Sequence, residues 1–147
     1  MIDRKYIDHA WPPYTVEVEK GRLRFFAKAI GETNPIYTDE AAAQAAGHRS
    51  LPVPPTFFFS LENEKPEPFD WLAEMGVHLG RVLHGEQSFT YRAMAFAGDR
   101  LTFAPRITDI YEKKNGALEF IVKETAVKDA AGAVVAELRC VIVVRHG

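Results

Sequence analysis

Two short stretches carry side chains that could move a proton. In "GETNPIYTDE", Glu32, Asn34 and Tyr37 gather around Pro35; a carboxylate there can give or take a proton, and an amide and a phenol can orient a polar substrate. In "HGEQ", His84 supplies the only side-chain type that ordinarily titrates between pH 5 and 8. Each residue also has a plainer reading. Glu32 at a helix end suits a solvated acid, Asn34 before Pro35 suits a turn, and Tyr37 can bury its ring and bond its hydroxyl. His84 can be a polar residue opening a strand. Gly85 beside it permits close backbone approach, by a ligand or by a crossing helix. "VPPTFFF" places Pro55, Phe57 and Phe58 where they either pack the core or line a channel. His48 and Arg49 offer a single basic pair to a phosphate. His9, His78 and His146 are too dispersed to suggest a metal cluster.

The elements that must position these groups change character halfway along the chain. After the extended piece "YTVEVE", Leu23, Phe26, Ala27 and Ile30 recur at i, i+3, i+4 and i+7, which predicts an amphipathic helix ending near Gly31. Thr38, followed by Asp39 and Glu40, reads as the N-cap of a second short helix, with Gly47 at its C-terminal end. Two helical pieces, broken at Pro66 and Pro68, are expected between Pro54 and Met75. From Val82 onward, long β runs are separated by turn signals at Gly98-Asp99, Asn115-Gly116 and Ala130-Gly132. This order predicts an α+β architecture whose antiparallel strands follow one another as a meander. Leu138, Cys140, Ile142 and Val144 alternate with Arg139, Val141, Val143 and Arg145 in the last run, so both of its faces are partly apolar.

Composition bounds the setting. A chain of 147 residues, 47% hydrophobic, fits a single domain over residues 1–147. A net charge of -2 with scattered Lys and Arg gives no footprint for nucleic acid or an anionic membrane. Cys140 has no cysteine to pair with, the N-terminus lacks a secretory pattern, and no run approaches the roughly 20 apolar residues of a membrane span. A reducing cytoplasm is the expected location. No phosphate-cradling glycine loop or Ser-His-Asp order supports a kinase, dinucleotide or hydrolase reading.

"AIGETNPIYTDEAAAQAAG", "VPPTF" and "LHGEQSFTYRAMAFAGDRL", in that order and spacing, resemble the MaoC-like dehydratase family. The likeness is strongest to its N-terminal-type domain, the first repeat of peroxisomal hydratase-2 enzymes and a separate subunit in bacterial 3-hydroxyacyl-thioester dehydratases. The resemblance implies a hot-dog fold, in which a curved antiparallel sheet wraps a central helix, and dimers that form through the sheets. It also implies a hydro-lyase of fatty acid metabolism that hydrates an enoyl thioester to the (R)-3-hydroxyacyl thioester without a cofactor. The substrate would be a CoA or acyl-carrier-protein thioester, with Asn34, Pro35, Pro55, Phe57, Phe58 and Gly85 near it.

Catalytic members carry a D-x-N-P-x-H loop. Here Glu32 stands at the Asp position and Tyr37 at the His position. A phenol with an ordinary pKa near 10 is a poor base at neutral pH. Two readings follow. The chain is the substrate-binding subunit of a heterodimer whose partner brings the intact loop, or a self-sufficient homodimer using Glu32, Tyr37 or His84. A hot-dog thioesterase is disfavoured, because the motifs match the hydratases rather than the fold alone.

Overall fold

In the computed structural model, which describes residues 1–146, four short helices precede most of the sheet: α1 (Lys20–Ala29), α2 (Glu40–Ala45), α3 (Phe57–Glu62) and α4 (Asp70–Glu74). The strands are β1 (Tyr14–Glu17), β2 (Val82–Tyr91), β3 (Arg100–Lys113), β4 (Leu118–Lys128) and β5 (Val134–Arg145). All pairings are antiparallel, in the order β1-β3-β4-β5-β2.

The meander expectation holds for two turns and fails at the third. Lys114, Asn115 and Gly116, all at positive φ, close the β3–β4 hairpin. Asp129 closes β4–β5, its Oδ1 accepting the N–H groups of Ala131 and Ala133. Gly98-Asp99 makes no hairpin, because β2 pairs with β5 at one edge while β3 lies beside β1 near the other. The intervening chain crosses over, burying Ala95 and Ala97 and bonding Val53 N–H to Ala95 O and Ala97 N–H to Leu51 O. The physical reason is polarity. β2 carries Glu86, Gln87, Ser88 and Thr90 and is largely exposed, which suits an edge, whereas β4 and β5 bury residues on both faces and take the centre.

Local corrections follow the same logic. α1 buries Leu23 and Ala27, but Ile30 sits past its end and is exposed. Asp39 rather than Thr38 caps α2, accepting from Ala41 N–H at 2.8 Å and Ala42 N–H at 3.1 Å. Gly47 follows α2 at φ 91°, the left-handed position that a C-terminal glycine fills without strain.

The sheet curves around α3. Tyr14 of β1 donates to Glu62 O, Phe58 packs on Tyr91 of β2, and Thr125 of β4 donates to Glu62 Oε1. Two apolar clusters result. One joins Leu23, Phe57, Phe58, Leu61, Phe103 and Val127; the other joins Trp71, Leu72, Ile107, Ile121, Cys140 and Ile142.

Candidate functional site

The loop at Glu32 is locally self-contained. Its first bend is Gly31, at φ 72°. Glu32 Oε1 accepts the N–H of Asn34 at 2.8 Å, and Asn34 Oδ1 accepts the N–H of Ile36 at 3.2 Å. Pro35–Tyr37 form one 3-10 turn, closed by Thr38 N–H on Pro35 O. The carboxylate and amide therefore brace the turn, and Tyr37 is half-buried.

His84 lies elsewhere, at the mouth of a cavity of about 240 Å³ between α3, α4 and the sheet. Its ring stacks on Phe59, 5.2 Å between centroids and 14° from parallel. His84 Nε2 is 3.1 Å from both Glu86 O and Gln87 Oε1. A backbone carbonyl can only accept, so Nε2 is the donor in the contact with Glu86 O. The apolar walls are Phe59, Phe69, Leu72, Leu79, Val82 and Ile142. Of the three consecutive phenylalanines, Phe59 lines the cavity, while Phe57 and Phe58 are buried in the core; the lining residues include none of Glu32, Asn34, Pro35 and Tyr37. Pro55 is exposed at the approach to α3. Gly85 serves the sheet: it is the unpaired residue of a bulge between His84 and Glu86, and a Cβ there would lie 2.8 Å from Val143 Cγ2. The close approach is made by strand β5.

Polar residues that the sequence reading passed over line the same cavity. Glu62 and Lys123, 4% and 8% exposed, form an ion pair at 2.9 Å. Thr125 Oγ1 donates to Glu62 Oε1 at 2.5 Å, and Lys123 Nζ lies 4.9 Å from the centre of the Trp71 ring. The signal was present in the phase. Glu62 is four residues after Phe58 on the buried face of α3, and Lys123 and Thr125 share the inward parity of Ile121 and Val127. Cys140, paired across the sheet with Lys123, also lines the cavity. Burial pushes its thiol up to about 11, so it stays protonated at neutral pH and is no nucleophile. Burial, aided by the Glu62 charge, likewise raises the Tyr14 hydroxyl, which remains a donor.

His48 and Arg49 do not form a free basic pair: Arg49 is engaged by Asp99 and lies over the Phe96 ring. Among the described residues, no three His, Cys, Asp or Glu side chains gather where they could share a metal ion. Among the same residues, no helix is long and apolar enough to cross a membrane.

Residues 6–138 match the family described as FAS1-like, dehydratase domain region. A UPF0336 protein of Leifsonia xyli subsp. xyli is 40% identical over 134 residues, spanning 91% of this chain and 87% of its own length. Two solved structures share the architecture. The C-terminally truncated HadBC (3R-hydroxyacyl-ACP dehydratase) complex from Mycobacterium tuberculosis superposes with a TM-score of 0.78 at 23% identity, over 91% of this chain and 92% of that one. A MaoC-like dehydratase superposes with a TM-score of 0.79 at 24% identity, over 97% of this chain and 43% of that one. The fold is the hot-dog fold of the MaoC-like dehydratases.

Proposed function

The chain belongs to the FAS1-like dehydratase-domain-region family, and from that premise we propose that it is the acyl-binding subunit of an (R)-specific enoyl-thioester hydratase, acting with a second hot-dog chain that supplies the acid/base pair. One observation carries this reading: the apolar cavity at His84 lies apart from the loop that would do the chemistry, and that loop has Tyr37 in place of a base and Glu32 committed to Asn34 N–H. Hydration needs a proton delivered to the α-carbon, a water activated for the β-carbon and donors for the thioester oxygen. The cavity walls can hold an acyl chain and exclude water from it; a partner must bring the Asp and His. The reaction asks for no cofactor.

The partner's place is the β2 edge. β2 bonds only β5 in the sheet, and Leu83, Tyr91, Phe59 and Leu79 are exposed on or beside it. Pairing this strand with the same strand of a second hot-dog domain would extend the sheet across the dimer and cover those side chains. The HadBC relative is itself a complex.

A second reading keeps the chemistry in this chain, as a homodimer in which His84 acts. The presence of the His84 imidazole among the residues lining the cavity favours it. Hydration of crotonyl-CoA and longer enoyl-CoAs by the purified chain, alone and with the partner co-purified from the native host, separates the two. Turnover only in the complex supports the subunit reading; equal turnover by the chain alone overturns it.

A further inference from the structure

We infer that the wall of the cavity formed by Glu62, Lys123 and Trp71 receives a hydroxyl group on the tail of the bound acyl chain, so that this subunit selects tail-hydroxylated acyl thioesters over plain alkyl ones. The inference rests on the acyl-binding reading above and adds to it the class of acyl group.

An apolar cavity that only held an alkyl chain would be cheapest to line with apolar residues. Replacing a buried ion pair by packed hydrophobic side chains is commonly neutral or stabilising, so stability alone does not account for Glu62 and Lys123. Their hydrogen-bonding capacity is not used up. Both Lys123 Nζ and Thr125 Oγ1 engage Glu62 Oε1, and no hydrogen bond to Oε2 is found among the described residues. Lys123 has three N–H donors, and Glu62 is its ion-pair partner at 2.9 Å. Trp71 also lines the cavity, is 5% exposed, and its indole N–H has no acceptor. A spare carboxylate oxygen and spare N–H donors thus belong to side chains on one wall of a largely apolar space, which Asn63 and His84 also line.

The chemistry of the missing group follows. A hydroxyl donates to a carboxylate oxygen and accepts from an ammonium or indole N–H, answering both needs at once. A ketone accepts only and leaves Glu62 Oε2 unmatched. A carboxylate would be repelled by Glu62, and a methylene would strip water from both charges without replacing it. The hydroxyl in question is remote from the thioester, and so distinct from the 3-hydroxyl made or removed in the reaction.

Isothermal titration of the 147-residue chain with octanoyl- and dodecanoyl-CoA, each against its ω-hydroxy counterpart, tests this directly. At one or both lengths the ω-hydroxy ligand should bind about tenfold tighter, the effect expected of a net gain in hydrogen bonding to charged groups. The paired replacement Glu62→Leu with Lys123→Met, checked by circular dichroism, should abolish the preference. Glu62→Gln, which preserves shape, should reduce the preference severalfold and supplies the test if the paired replacement does not fold. Equal or tighter binding of the plain ligand by the wild-type chain at both lengths overturns the inference while leaving the acyl-binding reading in place. A preference that survives the paired replacement overturns it too, and binding of neither ligand class overturns both readings together.

Discussion

Lys123 Nζ on β4 lies 2.9 Å from Glu62 Oε1 at the end of α3, and this contact forms the polar layer between the two apolar clusters. Along the inward face of β4, Ile121 belongs to one cluster and Val127 to the other, with Lys123 and Thr125 between them. Removing one charge leaves its partner buried and unpaired. Lys123→Met alone is expected to cost about 3–5 kcal/mol in urea unfolding, whereas Lys123→Met with Glu62→Leu should recover most of it. Additive losses would show that water already reaches the pair.

Gly85 is fixed by its neighbour strand. With Val143 Cγ2 2.8 Å from the position of a Cβ and Val141 O at 3.2 Å, Gly85→Ala must push β2 off β5 or turn Val143 into a poorer rotamer. We expect a loss of about 1–3 kcal/mol, typical of overpacking, and partial rescue by Val143→Ala. Equal destabilisation with and without Val143→Ala would place the strain in the bulge backbone instead.

The three motifs made the hot-dog fold legible through their resemblance to the MaoC-like dehydratases, and what residue patterns alone made legible was local. Hairpins at Asn115-Gly116 and Ala130-Gly132, the glycine ending α2 and the two helical pieces before β2 follow from turn chemistry and periodicity, which act within a few residues. The β2 crossover was not legible, since Gly98-Asp99 has the look of a hairpin turn while the pairing is decided by which strands can bury both faces. The buried Glu62–Lys123 pair was missed because each residue, taken singly, is the type most often found on a surface. Only the contact between α3 and β4 places one beside the other. The separation between the Glu32 loop and the His84 cavity is likewise a property of the folded chain.

Cys140 makes the fold sensitive to alkali. Its thiol, with an ordinary value near 9, is pushed up to about 11 by burial. A proton held more tightly when folded gives stability that is present in full below the unfolded value and is lost as pH rises from about 9 to about 11. The loss approaches about 2–3 kcal/mol at the top of that window. Tyr14, also raised, adds its own loss at higher pH. Cys140→Ala should flatten the stability profile between pH 9 and 10 relative to wild type, and an unchanged slope there would show that the thiol is not the titrating group.

The β2 edge sets the assembly. If it is the dimer surface, sedimentation at micromolar concentration should give about twice the 16.5 kDa chain mass. Leu83→Asp, which puts a charge on that edge at an exposed position, should shift the species toward the monomer without lowering the unfolding midpoint of the isolated chain. A wild-type species near 16.5 kDa counts against self-association and leaves only a different partner chain for the edge.

The loop yields the most direct test of function. General acid-base catalysis contributes about 10²–10⁴-fold, and without a base at position 37 the chain alone should hydrate crotonyl-CoA at the background rate. Glu32→Asp is structurally permissible, because an aspartate can accept the N–H two residues on, as Glu32 accepts that of Asn34 at 2.8 Å. Combined with Tyr37→His it restores the D-x-N-P-x-H pattern, and measurable turnover should appear. It should stay well below that of a complex with an intact partner, since a 1 Å misplacement costs about 100-fold. His84→Ala in this background distinguishes the two roles left for the imidazole. Loss of turnover at saturating substrate would make His84 part of the proton transfer, whereas a raised KM with kcat retained would make it, with Phe59 stacked beneath it, a wall of the binding site.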